Sequence, residues 1–235
     1  ILLQTGRGLT TAQALTAASV SGIVCFALEL PTSGFADAFG RRAVYIAAAI
    51  VNVFAAVAYA VAQSFWAFVL AAALMGTFRA LDSGPLEAWF VDEVHASEPG
   101  RDVDQELSRS GTFLGLGMAL GALVGGGLIW WHPISSQPAI DLAVWCFAAL
   151  NVGHLIAVVI LLKETPRHLP GQRQRALVMA SICSAPQVIT SGLKLLAHNK
   201  ILLGLIAAEV VWSIGMIGFE SLLPLRLEEF LGSQR

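Results

Sequence analysis

Residues 11–28 and again residues 43–78 carry no Asp, Glu, Lys or Arg. A helix crosses the hydrocarbon core with about 20 apolar residues, each advancing about 1.5 Å through a core about 30 Å thick. No other feature constrains the chain as strongly, and the composition agrees with it. Of 235 residues, 56% are hydrophobic and only 13% are charged, and the mean hydropathy is +0.72. A soluble domain carries about 25% charge, so a disordered chain is excluded and a water-soluble enzyme is disfavoured. With 14 Lys and Arg against 16 Asp and Glu, a formal charge of -2, there is no basic surface for a nucleic-acid partner. The expected solvent is the lipid bilayer. Cys25, Cys146 and Cys183 show neither a disulfide framework nor metal-ligand spacing and read as small apolar packing residues. The chain opens on Ile1 with no leader-like segment, which reads as a fragment whose true start lies upstream.

Six spans are expected. The first, 11–28, closes at Glu29, Leu30 and Pro31. The run 43–78 is too long for one crossing, and the polar pair Gln63 and Ser64 divides it into two antiparallel helices. The second of these continues past Arg79 and Asp82 towards Phe90. Residues 110–131 form a fourth span whose closing pair, Trp130 and Trp131, suits a membrane interface. Residues 142–162 form the fifth, and 201–223, interrupted by Glu209 and Glu220, the sixth. Between Arg167 and Lys200, apolar residues such as Leu177, Ile182, Val188 and Leu195 are spaced among polar ones around Pro186. This predicts a linker with one or two amphipathic helices on the cytoplasmic face. The basic residues orient the array, because Lys and Arg favour short cytoplasmic loops. Arg41, Arg42, Arg101, Arg109, Lys163, Arg167, Arg173, Arg175, Lys194 and Lys200 all fall on one side, so the first span runs from outside to inside.

The loop after the first span reads Pro31-Thr32-Ser33-Gly34-Phe35-Ala36-Asp37-Ala38-Phe39-Gly40-Arg41-Arg42. Aligned on Asp37, it resembles the signature loop of the major facilitator superfamily, with Ser33 where that pattern has its first glycine and Gly34 one place later. A carboxylate at this place accepts hydrogen bonds from helix-end amides, and Gly40 permits a tight turn before two basic anchors. The resemblance implies that Ser33, Gly34, Asp37, Gly40, Arg41 and Arg42 brace a cytoplasmic gate. Gly117, Gly121, Gly125 and Gly126 resemble a glycine pattern in the fifth helix of the superfamily's proton-coupled antiporters, with Ala122 in place of a proline. Glycines four apart let a neighbouring helix approach closely, which suits a hinge or sliding contact; ordinary small-residue packing is the other reading.

A cation inside a span is costly unless it is paired or faces water. Arg79 matches the superfamily's fourth-helix arginine, with Asp82 and Ser83 standing where glutamine and glycine are common. Three residues apart on one helix, Arg79 and Asp82 are expected to share a face. Asp82 then either exchanges a proton against that charge or forms a permanent ion pair. Glu87, eight residues beyond Arg79, is expected on the same face, and Glu29 ends its own helix at the same side. The two carboxylates would share an inner vestibule with Arg79, where burial and like charge favour proton uptake; snorkelling to the interface is the alternative for each. Glu209 is a further candidate for protonation or cation binding. Asn52, Asn151 and His154 are weaker candidates, since a lone polar side chain in a span is commonly satisfied by a neighbouring helix. Lys163-Glu164-Thr165-Pro166 resembles the sequence that often closes the sixth helix of the superfamily.

The resemblance covers nearly the whole chain and implies an all-α polytopic membrane protein containing six of twelve transmembrane helices. Residues 1–166 would be an N-terminal bundle lacking its first helix, 167–200 a cytoplasmic linker, and 201–235 the first helix of a C-terminal bundle. No nucleophile elbow, phosphate loop or pair of metal-spaced histidines occurs, so no enzyme activity, cofactor or metal is expected. The expected function is a secondary transporter of the cytoplasmic membrane that exports a small amphiphile in exchange for protons by alternating access. Its partners would be lipid, the small-molecule substrate, protons and the remaining half of the same transporter. A proton-driven importer, a uniporter, or a non-transporting scaffold or truncated product are the alternatives.

Overall fold

The computed structural model describes residues 1–32, 34–98, 100–131, 133–134, 138–163 and 171–232. Ser33 and the side chain of Asp37 lie outside the described part, as does the 166/167 boundary between bundle and linker. The described residues form ten helices and no strand: α1 (Leu2–Gly6), α2 (Thr11–Thr32), α3 (Phe35–Phe39), α4 (Arg41–Val61), α5 (Phe65–Asp82), α6 (Pro85–Ser97), α7 (Asp104–Trp131), α8 (Ala139–Leu161), α9 (Gly171–His198) and α10 (Lys200–Gly232).

The breaks between helices follow local chemistry. Gly40 adopts φ 90°, a conformation open to glycine, and turns the chain from α3 into α4. At the expected break near Gln63, Ala62 is extended and the Ser64 hydroxyl accepts the Ala67 amide at 3.3 Å, capping α5. The continuous helix expected from Arg79 to Phe90 is instead interrupted. Ser83 is extended, Gly84 is left-handed at φ 86°, and Pro85 opens α6 at the position where its missing N–H costs nothing.

Seven helical segments are long and apolar enough to cross a membrane: Thr11–Thr32, Arg41–Val61, Phe65–Ser97, Asp104–Trp131, Ala139–Leu161, Ala176–His198 and Lys200–Pro224. The additional one relative to the sequence expectation is in α9, where one helix runs through Pro186. Residues 176–193 hold no charge despite their scattered serines and glutamine, which lifts their hydropathy into the spanning range.

The packed body is α2, α4, α5 and α8, with α4 touching both α5 and α8 and α2 lying on α5. Its interior is lined by small residues, Ala14 and Ala17 of α2, Ala48, Ala55 and Ala56 of α4, and Ala71 and Ala80 of α5, around the fully buried Phe68. Small side chains let helices approach until backbone meets backbone. At Gly76 of α5 an added Cβ would stand 2.3 Å from the Ser21 carbonyl oxygen of α2, so this crossing tolerates no side chain. The close approach expected at Gly117, Gly121, Gly125 and Gly126 is not found among the described residues. Nothing lies within 4 Å of a Cβ built at any of the four, and α7 has no buried residue. Largely apolar along their length and little covered by protein, α7 and α10 are helices whose surface suits lipid or further protein.

Candidate functional site

The basic end of the body is built from Arg41 and Arg42, adjacent residues in the first turn of α4 that point to different helices. Arg41 pairs with Asp92 of α6 at 3.0 Å. Arg42 donates from Nε to the Leu162 carbonyl and from Nη2 to the Val159 carbonyl at 3.1 Å. Those carbonyls end α8, where no further amide remains to pair them and the helix dipole favours a cation. Trp89 of α6 donates its indole N–H to the Lys163 carbonyl at 3.1 Å, joining α6 to the same corner. On the other flank, Gly34 lies against α9 so closely that an added Cβ would overlap the Ser181 hydroxyl. The signature loop therefore contacts α4, α6, α8 and α9 through its ends.

Beside this corner is a cavity of about 590 Å³ between α2, α3, α4, α5 and α6, walled by Phe26, Leu30, Leu81 and Pro85 with Glu29 and Arg41 as its charged groups. The Glu29 carboxylate accepts a long hydrogen bond of 3.4 Å from the Ser83 hydroxyl. Thr32 closes the floor, donating to the Leu28 carbonyl at 2.8 Å and to the Ala80 carbonyl at 3.3 Å, which joins the end of α2 to α5.

The other expected site residues are dispersed. Glu87 does not join Glu29. It lines a separate groove of about 510 Å³ with Trp89, Phe90, Arg109 and Phe113, between α6 and α7. The break at Ser83 and Gly84 is the reason, because the 3.6-residue count from Arg79 to Glu87 holds only along an unbroken helix. Arg79 is exposed, and no Arg79–Asp82 ion pair forms among the described residues. Asp82 is half-buried and lies within electrostatic range of Tyr45 on α4 and His154 on α8. Glu209 is exposed on α10.

The polar residues of α4 and α8 meet one another. Asn52 Nδ2 donates to Asn151 Oδ1, and Asn151 Nδ2 donates back to the Phe147 carbonyl at 2.9 Å. Both side chains are buried, and Asn52 Oδ1 has no hydrogen-bond partner among the described residues. Two turns nearer the basic end, the Tyr45 hydroxyl stands 3.4 Å from His154 Nε2, with the rings edge-to-face at 5.9 Å. Tyr45 and Asn52 are seven apart on α4, and Asn151 and His154 three apart on α8, so one antiparallel seam brings both pairs together.

The opposite end has a fastening that the residue pattern did not point to. Arg7 donates to the Ala60 and Ala62 carbonyls at 2.8 and 2.6 Å and to Asp141 Oδ1 at 3.0 Å. One guanidinium thus ties the chain before α2 to the α4–α5 turn and to the start of α8. The only sequence signal was two opposite charges flanking separate spans.

Long apolar helices, a core of small residues and charges gathered at the ends define a polytopic integral membrane protein. The model for the Major Facilitator Superfamily matches residues 1–234, and the chain belongs to that superfamily of membrane transporters. No curated protein and no solved structure matches it.

Proposed function

We propose that the chain is part of a proton-coupled exporter of small cationic amphiphiles in the cytoplasmic membrane, working by alternating access. The observation that carries the coupling is Asp82 of α5, a half-buried carboxylate with no ion pair among the described residues, within electrostatic range of Tyr45 and His154. A carboxylate in that setting is suited to take up and release a proton as the bundle changes shape. The cavity beside it supports the substrate class, because apolar walls around the Glu29 carboxylate suit a molecule with an apolar body and a positive end. Arg41 and Arg42, with Asp37 in the same loop, act as the gate of the cytoplasmic side.

Residues 1–166 then form the N-terminal bundle, 167–200 the linker, and 201–235 the start of the second bundle. The course of α9 supports this arrangement. It follows Lys163 at the basic end, touches Gly34 there through Ser181, and hands over to α10. The far part of α10 meets the opposite end, where Glu220 and Pro224 share a cavity of about 420 Å³ with Leu2, Tyr59 and Ile140. With its middle held to the basic end at Gly34, α9 is read as running along the cytoplasmic face, although its length and hydropathy would also allow a crossing.

The test is transport of ethidium by the full-length protein in liposomes. An acidic lumen should drive dye accumulation, and Asp82→Asn should reduce it to the level of protein-free vesicles. Flux indifferent to the pH gradient and to both Asp82→Asn and Arg79→Ala would sink the reading.

A further inference from the structure

The groove between α6 and α7 plays no part in the transport reading, yet it is more than a lipid-facing surface. Its cavity of about 510 Å³ is walled by Leu86, Phe90 and Phe113 and carries Glu87 from α6 and Arg109 from α7. Both charged side chains are exposed, and neither forms an ion pair among the described residues. Glu106, the other acid of the groove, is bonded to Arg101 at 2.8 Å, and Arg109 lies within its electrostatic range without pairing to it. A cation and an anion that line one space and do not close on each other are placed for a ligand that carries both signs.

The level of the groove along the helices points to the rest of that ligand. Arg109 is the last charged residue of α7 before a charge-free stretch that runs from Ser110 to Trp131. Trp89, which also lines the groove, donates its indole N–H to the Lys163 carbonyl just beyond the end of α8. An amphipathic indole and the last arginine of a span both mark the headgroup level of a bilayer. Beyond Arg109, Phe113, Leu116 and Leu120 are 72%, 55% and 61% exposed, and their spacing puts them on one face of α7 that leads out of the groove. A molecule seated here has its charged end between Glu87 and Arg109 and its apolar end on that strip, which is the build of a phospholipid.

The two charges also select among headgroups. The Arg109 guanidinium offers paired N–H donors that match phosphate oxygens. Glu87 only accepts, so it favours a cation that can donate N–H bonds, a primary ammonium. A choline headgroup has no such hydrogen and keeps only ring contacts to Phe90 and Phe113. A headgroup with a phosphate and no amine leaves Glu87 facing an anion. In ethanolamine the carbon link holds ammonium and phosphate apart, as the open spacing of Glu87 and Arg109 requires.

We propose that the α6–α7 groove binds a phospholipid with a primary-amine headgroup, its ammonium on Glu87, its phosphate on Arg109 and an acyl chain along Phe113 and Leu120. The full-length protein in detergent, titrated with phosphatidylethanolamine, phosphatidylcholine or phosphatidylglycerol of identical chains and followed by native mass spectrometry, should retain the first about fivefold better than the others. Glu87→Gln should bring phosphatidylethanolamine down to the phosphatidylcholine level, and Arg109→Gln should weaken both by about fivefold. Equal retention of the three lipids, or a preference that survives both substitutions, overturns the site. Where Glu87→Gln folds poorly, Arg109→Glu at its exposed position turns the phosphate end acidic and should abolish the preference; an undiminished preference overturns the site as well. The second measurement places the lipid. Phosphatidylethanolamine with a photoactivatable group high in its acyl chain, in liposomes with the full-length protein, should label α7 between Phe113 and Leu120, and Arg109→Gln should reduce that labelling by about fivefold. Labelling confined to other segments overturns the site and gives the groove to further protein, a second copy where the mass spectrum shows a dimer and the rest of the same chain where it shows a monomer. Neither readout involves transport, so both stand whatever becomes of the coupled-exporter reading.

Discussion

At the end of the body that holds the α4–α5 turn, one guanidinium joins three chain segments; at the basic end, Arg41, Arg42 and Trp89 divide a similar task among α6 and the end of α8. The exposures differ in the same sense. Arg7 and Asp141 are 11% and 21% exposed, against 19% and 44% for Arg41 and Asp92. A shielded pair whose cation also holds two backbone carbonyls is expensive to break, because each partner left behind stays desolvated. A pair open to water loses little, since solvent replaces the contact. The basic end also contains the helix break at Ser83 and Gly84 and the adjoining cavity. The difference teaches that the body is pinned at one end and fastened more loosely at the other, an asymmetry that suits the proposed rocking of the bundle.

The largest test of that contrast is Arg7→Ala. It strands Asp141 and two carbonyls, and should cost about 3 kcal/mol, read as a lower melting temperature of the detergent-solubilised protein. Arg42→Ala, which exposes the last carbonyls of α8 to water at the basic end, should cost about 1.5 kcal/mol in the same assay. If Arg42→Ala proves the more damaging, the pinned and releasable ends are the wrong way round. Arg41→Gln should cost only about 0.5 kcal/mol yet change the rate of ethidium exchange more than Arg7→Lys does, because it loosens the end proposed to open. A variant of Arg41 that neither melts nor transports differently would remove the latch from the mechanism.

Much of this arrangement was legible in the residues, and what was not has physical causes. The spans followed from charge-free length, and Ser64 marked its own helix start because a serine hydroxyl is a ready cap. Gly40 and the two arginines after it announced a turn and two anchors, although which helices they would reach depended on packing. Gly84 and Pro85 carried the signal of a helix stop and restart, but counting apolar residues through them put Glu87 on the face of Arg79 and beside Glu29. Asn52 and Asn151 were expected to be satisfied by some helix; that they satisfy each other across 99 positions is information only the fold holds. The glycine pattern of α7 pointed to a close approach not found among the described residues, because spacing says what could approach, not what does, whereas the approaches that tolerate no side chain are at Gly34 and Gly76. Arg7 was invisible for the opposite reason, since two of its three partners are backbone carbonyls, which every residue has.

The smallest expected effect is at Arg101, and it sharpens the comparison by showing that charge pairing alone is not what distinguishes the two ends. Arg101 is bonded to Glu98 at 3.1 Å and to Glu106 at 2.8 Å, with shorter contacts to Glu106 than Arg41 makes to Asp92. The two carboxylates hold its guanidinium even more firmly protonated than usual, the hydrogen bond it donates to Glu106 contributing most. Both of these pairs are on the surface between α6 and α7, where water and salt screen them and ordering three long side chains offsets the attraction. Arg101→Ala should therefore leave the melting temperature and the ethidium exchange rate unchanged within the resolution of either assay. If Arg101→Ala lowered the melting temperature as far as Arg7→Ala, the geometry of the pairs rather than their shielding would be setting the strength of each fastening, and the contrast between the two ends would have to be rebuilt on bond count.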